Sequence, residues 1–330
     1  MIKIDLITGF LGSGKTTFIH RYAKYLIGKG EKIAVLENDY GAVNVDALLL
    51  SDLEGENCEI ETVAGGCDHD CHVRRFRTKL IALGMQGFNR VIIEPSGIYD
   101  VDEFFDVLHD EPLDRWYEIG NVIAILDAKP ERDISEETRY FLLSELATAG
   151  MLVLSHLSQK PNADHILNYV NDIMKEFGCD RRFTRKEILA KEWDALTGED
   201  YARVETCGYR QADHIRLPLI DDNAFASLYF LNVPLSLDEM KRKAPAMISD
   251  PSFGRIIRIK GFHNENGRWF ELNVSRNGME IKQCDNGQEV FIVIGEKLKR
   301  DVISSFLGIG DDVWHNGQVY AGSRAEEWKG

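Results

Sequence analysis

The sequence lacks any run of about 18 uninterrupted apolar residues, the length at which a membrane-spanning helix becomes feasible. It also begins without the basic segment and long apolar core of a secretory signal, because the apolar run from Ile2 to Ile7 is short and has the pattern of a strand. These absences predict a soluble cytoplasmic protein that has no membrane partner.

Positive charge is scarce as well. The 330 residues include 39 lysines and arginines against 54 aspartates and glutamates, which gives a formal net charge of −15. Proteins bind nucleic acid or anionic membranes through clustered cations, so this balance argues against both as partners. The exception is the basic segment at residues 74–79, which a solvated helix face explains.

Cysteine is sparse, with six residues scattered along the chain. Disulfide-stapled domains are dense in cysteine, so we expect these thiols to be free or metal-bound. Four of them stand apart from other cysteines and histidines and are expected to act as small hydrophobic residues: Cys58, Cys179, Cys207 and Cys284.

The apolar runs of the first two thirds are typical of strands buried on both faces, and helical patterns separate them. This alternation predicts an α/β fold with a mostly parallel sheet, in a first domain of residues 1–213. The predicted strands are 2–7, 32–37, 90–94, 121–126 and 151–154, and the predicted helices are 17–26, 72–83, 101–109, 135–148 and 163–177.

The pattern changes in the last third, where short strands dominate. A turn at residues 264–267 predicts a β-hairpin, and the whole region reads as a smaller α+β domain over residues 214–330, with helices against one face of an antiparallel sheet. The predicted strands are 224–233, 254–262, 268–275, 278–283 and 288–294, and the predicted helices are 238–247 and 296–306.

The most informative segment runs from Gly9 to Thr17 and reads GFLGSGKTT, a complete phosphate-binding loop between a strand and a helix. Its glycines let successive backbone N–H groups point at phosphates beside a helix N-terminus. Lys15 is expected to reach the β- and γ-phosphates as a catalytic residue, and the Thr16 hydroxyl to bind Mg²⁺. The predicted nucleotide-binding residues of this loop are Gly9, Gly12, Ser13, Gly14, Lys15, Thr16 and Thr17.

Acidic residues follow two of the predicted strands. Glu94 ends the run RVII and is the predicted catalytic and Mg²⁺-binding carboxylate, and Gly97 is predicted to meet the γ-phosphate. Glu37 and Asp39 point toward the same edge of the sheet. We expect Asp39 to orient the attacking water or a Mg²⁺-bound water, and Glu37 to bind a second metal. The alternative for all three acids is a solvated position with no such role.

Residues 65–72 read GGCDHDCH and place two thiols, two imidazoles and two carboxylates within six residues. An extended loop would put Cys67, His69 and Cys71 on one side, and thiolate with imidazole is the ligand set that Zn²⁺ prefers, with Co²⁺ and Ni²⁺ also suitable. The spacing is not that of a zinc finger, so redox thiol chemistry and a plain polar loop remain alternatives.

Taken together, these motifs resemble those of the CobW/HypB/UreG family of metal-handling GTPases, and of its CobW branch in particular. The resemblance covers both predicted domains and keeps the motifs in order. It rests on GFLGSGKTT at 9–17, ENDYG at 37–41, IEPSG at 93–97, Asp127 in ILDA and GRIIRIKG at 254–261.

The resemblance implies a GTPase that couples hydrolysis to delivering a metal ion, or a metal-containing cofactor, to a client protein. It also implies nucleotide-dependent pairing of two protomers. Two alternatives stay open: a nucleotide-dependent regulatory module with little hydrolysis, and a small-molecule kinase, for which the sequence has no acceptor-site signature.

The chain departs from the family pattern twice. The branch usually has G-C-x-C-C, whereas this chain keeps Cys67, has His69 in place of the second cysteine and has another cysteine displaced to Cys71, which favours Zn²⁺, Co²⁺ or Ni²⁺ over Cu(I). Family members read guanine with N/S/T-K-x-D, and residues 155–158 here read SHLS. Ser155 and His156 are predicted to lie at the base. Losing the aspartate removes on the order of 1.5 to 3 kcal/mol of guanine preference, so ATP or dual use stays open beside GTP.

Overall fold

The computed structural model describes residues 1–10, 12–39, 49–64, 69–95, 101–130, 134–157, 163–212, 225–276, 278–284, 287–309, 313–315 and 318–320, with the backbone alone at 38–39, 64, 69–72, 101–103, 225–226 and beyond 309. These residues divide into two compact units, one up to residue 212 and one from residue 225. The predicted domain boundary at 213/214 lies outside the described residues and stays a prediction.

The first unit is built on a parallel sheet of seven strands in the order β3-β2-β4-β1-β5-β6-β7. Every neighbouring pair in it is parallel, so all seven carboxyl ends meet at one edge. The strands are β1 (Ile2–Thr8), β2 (Ile33–Asp39), β3 (Cys58–Ala64), β4 (Arg90–Pro95), β5 (Tyr117–Asp127), β6 (Met151–Ser155) and β7 (Ile188–Leu189).

Helices cover both faces of this sheet. Because successive strand residues face opposite sides, Ile7 and Ile92 pack in one buried cluster while Leu6 and Ile93 pack in another. The α/β prediction is confirmed. The helices are α1 (Lys15–Gly28), α2 (His69–Gly84), α3 (Val101–His109), α4 (Leu113–Trp116), α5 (Glu136–Ala147), α6 (Ala163–Glu176) and α7 (Gly198–Glu205).

The second unit is a seven-stranded, largely antiparallel sheet in the order β11-β10-β9-β12-β8-β14-β13, in which β14 and β8 are parallel. Its core packs two helices against one set of strand side chains. The elements are β8 (Phe225–Leu231), α8 (Leu237–Ser249), β9 (Arg255–Glu265), β10 (Arg268–Ser275), β11 (Gly278–Cys284), β12 (Val290–Glu296), α9 (Arg300–Leu307), β13 (Val313–His315) and β14 (Gln318–Tyr320).

The predicted hairpin is present and tighter than expected. Glu265 pairs with Arg268, so only Asn266 and Gly267 form the turn, with φ of 56° and 80°. Positive φ at both central residues is the mark of a type I′ turn, for which Asn-Gly is the preferred pair. The helix predicted from residue 296 starts instead at Arg300, because Glu296 still belongs to β12.

Candidate functional site

The predicted phosphate loop joins β1 to α1 at the carboxyl edge of the parallel sheet. Gly9 has a φ of 134°, and a Cβ there would lie 2.2 Å from the Ile125 carbonyl oxygen, so only glycine fits. Gly14 has a φ of 99°, and its Cβ would lie 2.9 Å from the Trp193 ring. The loop is therefore held by the sheet beneath it and by an aromatic ring beside it.

Lys15 and Thr16 form the first turn of α1, and both side chains are buried. The Lys15 ammonium donates to the Gly9 carbonyl oxygen at 2.9 Å, so it lies across the loop where phosphates are expected. The Gly9 N–H donates to Glu145 Oε2 at 2.7 Å. No motif in the sequence singles out Glu145; its one local signal is that it is an acidic residue within the mostly apolar helical segment 141–147.

Glu94 lies beside the predicted Mg²⁺-binding hydroxyl. The Thr16 Oγ1 donates to Glu94 Oε1 at 3.1 Å, and Glu94 is only 8% exposed. The alternative of a surface acid at the strand end is therefore wrong. A buried carboxylate and a hydroxyl are hard oxygen donors of the kind that Mg²⁺ takes, so the residues present fit that ion.

Glu37 is buried next to Glu94 on the neighbouring strand. The two residues are in register between β2 and β4, and Glu37 is 2% exposed, which excludes the solvated alternative for Glu37 as well. Two adjacent buried carboxylates repel each other, and a cation between or beside them relieves that repulsion. Asp39 ends β2, but its side chain lies outside the described residues, as does Gly97.

The predicted base-reading residues, Ser155 and His156, lie at the end of β6, beside the end of β5. His156 has a φ of 49°, and its Nδ1 is 3.1 Å from Asp127 Oδ2 and 3.2 Å from the Ser155 Oγ. The histidine is therefore tied to the strand end by Asp127. Ser158, where the family has an aspartate, lies outside the described residues.

Trp193 lies at this end of the site and belongs to none of the motifs that the sequence shows. It follows β7, and its indole N–H donates to the Leu154 carbonyl oxygen at 2.9 Å. Its ring packs edge-on against Phe18 of α1, with centroids 5.7 Å apart. Trp193 thereby connects β6, α1 and Gly14, a contact over long sequence separation that no local pattern reveals.

The predicted metal segment is only partly described. Cys67 lies outside the described residues, whereas His69 and Cys71 lie in the first turn of α2, with their side chains not described. The extended loop expected there is wrong from His69 onward. Helical backbone replaces the period-two alternation on which that expectation rested.

The other thiols are buried or partly buried, as expected. Cys58 and Cys179 are 3% and 1% exposed. Burial raises the pKa of Cys58 to about 11 and that of Cys207 to about 12, so neither is a thiolate at neutral pH. Within the described ranges, no cluster of three acidic, histidine or cysteine residues forms a metal site. In the same ranges, every helix is too short or too polar to cross a membrane.

Comparison with known proteins finds relatives that are similar in sequence. The zinc chaperone YjiA of Escherichia coli is 34% identical over 283 residues, 79% of this chain and 81% of the relative. The zinc chaperone YeiR of the same organism is 32% identical over 154 residues, 46% of each chain, so the match spans less than half of that relative. The zinc-regulated GTPase metalloprotein activator 1 of Schizosaccharomyces pombe is 26% identical over an alignment of 354 residues, 93% of this chain and 84% of the relative.

Residues 3–185 match the family model described as CobW/HypB/UreG, nucleotide-binding domain. That span is more than half of the chain and contains the phosphate loop, Glu37, Glu94 and His156. The chain belongs to the CobW/HypB/UreG family.

Proposed function

We propose that the protein is a GTP-hydrolysing metallochaperone that passes a bound metal ion to a client metalloprotein. The contact between Thr16 and Glu94 carries the proposal, because it places a hydroxyl and a buried carboxylate together at the end of a phosphate loop. The names of the relatives, two zinc chaperones and a GTPase metalloprotein activator, support the same assignment. A cytoplasmic location and nucleotide-dependent pairing of two protomers belong to this proposal.

Hydrolysis at this site is a matter of positioning and charge. Lys15 and the loop N–H groups hold the phosphates and stabilise the charge that develops on them, while Asp39 is proposed to orient the attacking water. Thr16 and Glu94 would hold Mg²⁺, which supplies Lewis-acid stabilisation of the phosphate oxygens when bound. Gly97 is proposed to meet the γ-phosphate through its backbone N–H.

The metal that is delivered is the cargo of the reaction. We propose Zn²⁺, with Co²⁺ or Ni²⁺ as alternatives, bound by Cys67, His69 and Cys71 with Glu37 as a further ligand. The sheet topology supports coupling to the nucleotide, because β3, which leads into this segment, pairs with β2 and sets Ala64 opposite Asp39. A change at the γ-phosphate therefore reaches the proposed cargo site through one neighbouring strand.

A second candidate function is a nucleotide-dependent regulatory module with altered base preference, ATP or both nucleotides. The contact between His156 and Asp127 favours this second function. His156 occupies the position of the family's lysine, which would pack along guanine, and its ring already contacts a carboxylate. Competition of GTP against ATP, with and without Zn²⁺, separates the two candidates. A preference for GTP and Zn²⁺-responsive turnover support the chaperone; equal binding of both nucleotides with negligible turnover supports the module.

The cargo step has its own test. Equilibrium dialysis of the reduced protein against Zn²⁺ should give a bound equivalent that is lost in the C67A/H69A/C71A variant and kept in Cys284→Ser, which removes a thiol elsewhere. The measurement is repeated with GDP and with a non-hydrolysable GTP analogue. Equal Zn²⁺ binding by the triple variant and the wild type would contradict the proposed ligands.

A further inference from the structure

Glu145 is an acidic residue in a place that disfavours a carboxylate. It lies in the last turn of α5, where the helix dipole favours cations, and the residue is only 1% exposed. Its helix neighbours Leu142, Leu143 and Leu146 belong to the apolar core. Burial of a carboxylate costs free energy unless hydrogen bonds or opposite charges compensate for the lost water. A carboxylate at this position therefore needs a compensating contact.

Such a contact joins Glu145 to the first residue of the phosphate loop. The Gly9 N–H donates to Glu145 Oε2 at 2.7 Å, which is short for this kind of bond and typical of an ionised acceptor. The backbone of Glu145 is held as well, because the Thr8 Oγ1 donates to its carbonyl oxygen at 2.7 Å. Thr8, the last residue of β1, is fully buried. Helix α5 is thus fixed to the strand end from which the loop starts.

Gly9 depends on outside contacts for its conformation. Its φ of 134° lies in a region that other residues rarely adopt, and the nearby Ile125 carbonyl oxygen leaves no room for a Cβ. Glycine is also the residue that loses most conformational freedom when it is fixed. The contact with Ile125 excludes a side chain but does not orient the peptide groups. The hydrogen bond to Glu145 orients the peptide group that enters the loop.

The carbonyl group of the same glycine contacts Lys15. The Lys15 ammonium donates to the Gly9 carbonyl oxygen at 2.9 Å, and Lys15 is 5% exposed. A lysine ammonium sits on a flexible four-carbon chain, so it acts as a fixed charge only when neighbouring groups hold it. Charges fixed before the reaction stabilise a transition state most effectively. Gly9 therefore connects Glu145, at its N–H, to Lys15, at its carbonyl oxygen.

We propose that Glu145 is a positioning residue for hydrolysis. Its carboxylate fixes Gly9, and the Gly9 carbonyl oxygen holds the Lys15 ammonium where charge develops on the phosphates. This inference rests on the proposed GTP hydrolysis and is independent of the cargo metal. Glu145 acts through Lys15 and does not touch the nucleotide. Because Lys15 matters most in the transition state, displacing it lowers kcat more than it raises KM.

Glu145→Gln and Glu145→Met test this role as a matched pair. Both remove the charge and keep the length of the side chain, but only glutamine has an oxygen that accepts from the Gly9 N–H. In phosphate-release assays with GTP and Mg²⁺, kcat of Glu145→Met should be about tenfold or more below that of Glu145→Gln, with KM changed by less than about threefold. Glu136→Met, at an exposed acid of the same helix, is the control and should keep kcat within about twofold.

A double-mutant cycle identifies the route of the effect. In the Lys15→Ala background, Glu145→Met and Glu145→Gln should differ in kcat by less than about twofold, because the ammonium that Gly9 holds is gone. Single-turnover assays with enzyme in excess measure these slow variants. Binding of GDP with aluminium fluoride, which imitates the transferring phosphoryl group, gives the same ratios without turnover. A wild type without turnover would thus contradict the proposed hydrolysis and still leave this test complete.

Three results would overturn the proposal. The first is equal kcat in Glu145→Gln and Glu145→Met, which would show that the acceptor oxygen is unimportant. The second is an equal loss in Glu145→Met with and without Lys15, which would show that the effect takes another route. The third is a rise in KM as large as the fall in kcat, which would indicate a generally loosened loop. If thermal unfolding shows that Glu145→Met is unfolded at the assay temperature, Glu145→Leu repeats the comparison with a smaller apolar side chain.

Discussion

The parallel sheet buries charge in two places, and the two differ in how the charges are partnered. Inside the sheet, Asp5 accepts from Tyr22 at 2.7 Å, from Arg90 at 2.6 Å and from Asn121 at 2.8 Å. At the carboxyl edge, Glu37 and Glu94 lie in register as neighbours of the same sign. In the Asp5 network the buried charges have partners of opposite sign, and these contacts stabilise the fold. The like-charged pair of Glu37 and Glu94 instead favours the binding of a cation.

The interior network also joins the elements that carry the site. Tyr22 belongs to α1, which begins with Lys15 and Thr16, and Arg90 begins β4, whose last residues are Glu94 and Pro95. Arg90 further contacts Glu31 at 3.0 Å and Glu205 at 3.5 Å. Through Asp5 of β1, these hydrogen bonds connect α1, which carries Thr16, to β4, which carries Glu94.

The largest effect is expected from breaking the interior network. Arg90→Met leaves the Asp5 carboxylate buried without its cation, and losing one partner of a buried pair costs about 3–5 kcal/mol of unfolding free energy. Chemical denaturation measures it. Arg115→Met, at an exposed pair with Glu111, should change stability by less than about 0.5 kcal/mol. Equal losses of unfolding free energy in the two variants would show that the buried Arg90 pair matters no more than an exposed ion pair.

The next largest effect belongs to the carboxyl edge. Lys15→Ala should leave stability nearly unchanged and lower GTP turnover by about 10²- to 10³-fold, because it removes the ammonium that stabilises charge on the phosphates. Phosphate release under saturating nucleotide measures the rate. Lys24→Ala, on the same helix but paired with Asp52 at the surface, should keep turnover within about twofold.

A smaller loss of stability is expected from removing a single hydrogen bond of the Asp5 network. Tyr22→Phe removes one donor from Asp5 and should cost about 1.5–3 kcal/mol, since that hydrogen bond joins a buried carboxylate. Tyr25→Phe, one turn on, should cost less, because its acceptor Glu205 also binds Lys29 at 2.6 Å. Thermal unfolding of the two variants ranks them; a larger loss in Tyr25→Phe would contradict the importance given to Asp5.

The smallest effect is at the surface and depends on pH. The hydrogen bond from Lys191, with those from Thr197, lowers the pKa of Asp200 to about 2. A lowered pKa means that the stabilisation is present above the ordinary value of 3.8 and is lost as pH falls from there toward 2. Asp200→Asn should therefore reduce the loss of unfolding free energy at acid pH, by less than about 1 kcal/mol. Urea titrations between pH 5 and 2.5 would show it, and an unchanged slope would refute it.

Local motifs predicted much of the site, and contacts distant in sequence account for what was missed. The loop from Gly9 to Thr17 was enough to predict the strand before it and the helix after it. The helix α1 begins two residues before the predicted start at Thr17, because Lys15 and Thr16 form its first turn. The sequence did not predict β3, because Glu59 and Glu61 break up the continuous apolar run that marks the other strands of the sheet. Glu145 lies 136 residues from Gly9, so nothing short of the fold brings the two together.

The position of Trp193 gives the nucleotide site an optical reporter of its own. Its indole lies against the loop at Gly14 and is anchored to Leu154, so phosphates entering the loop change the electrostatic field around the ring. Difference spectra between the wild type and Trp193→Phe would isolate its emission from that of the other tryptophans. Nucleotide exchange in this protein can then be followed in real time with unlabelled GTP and no attached dye.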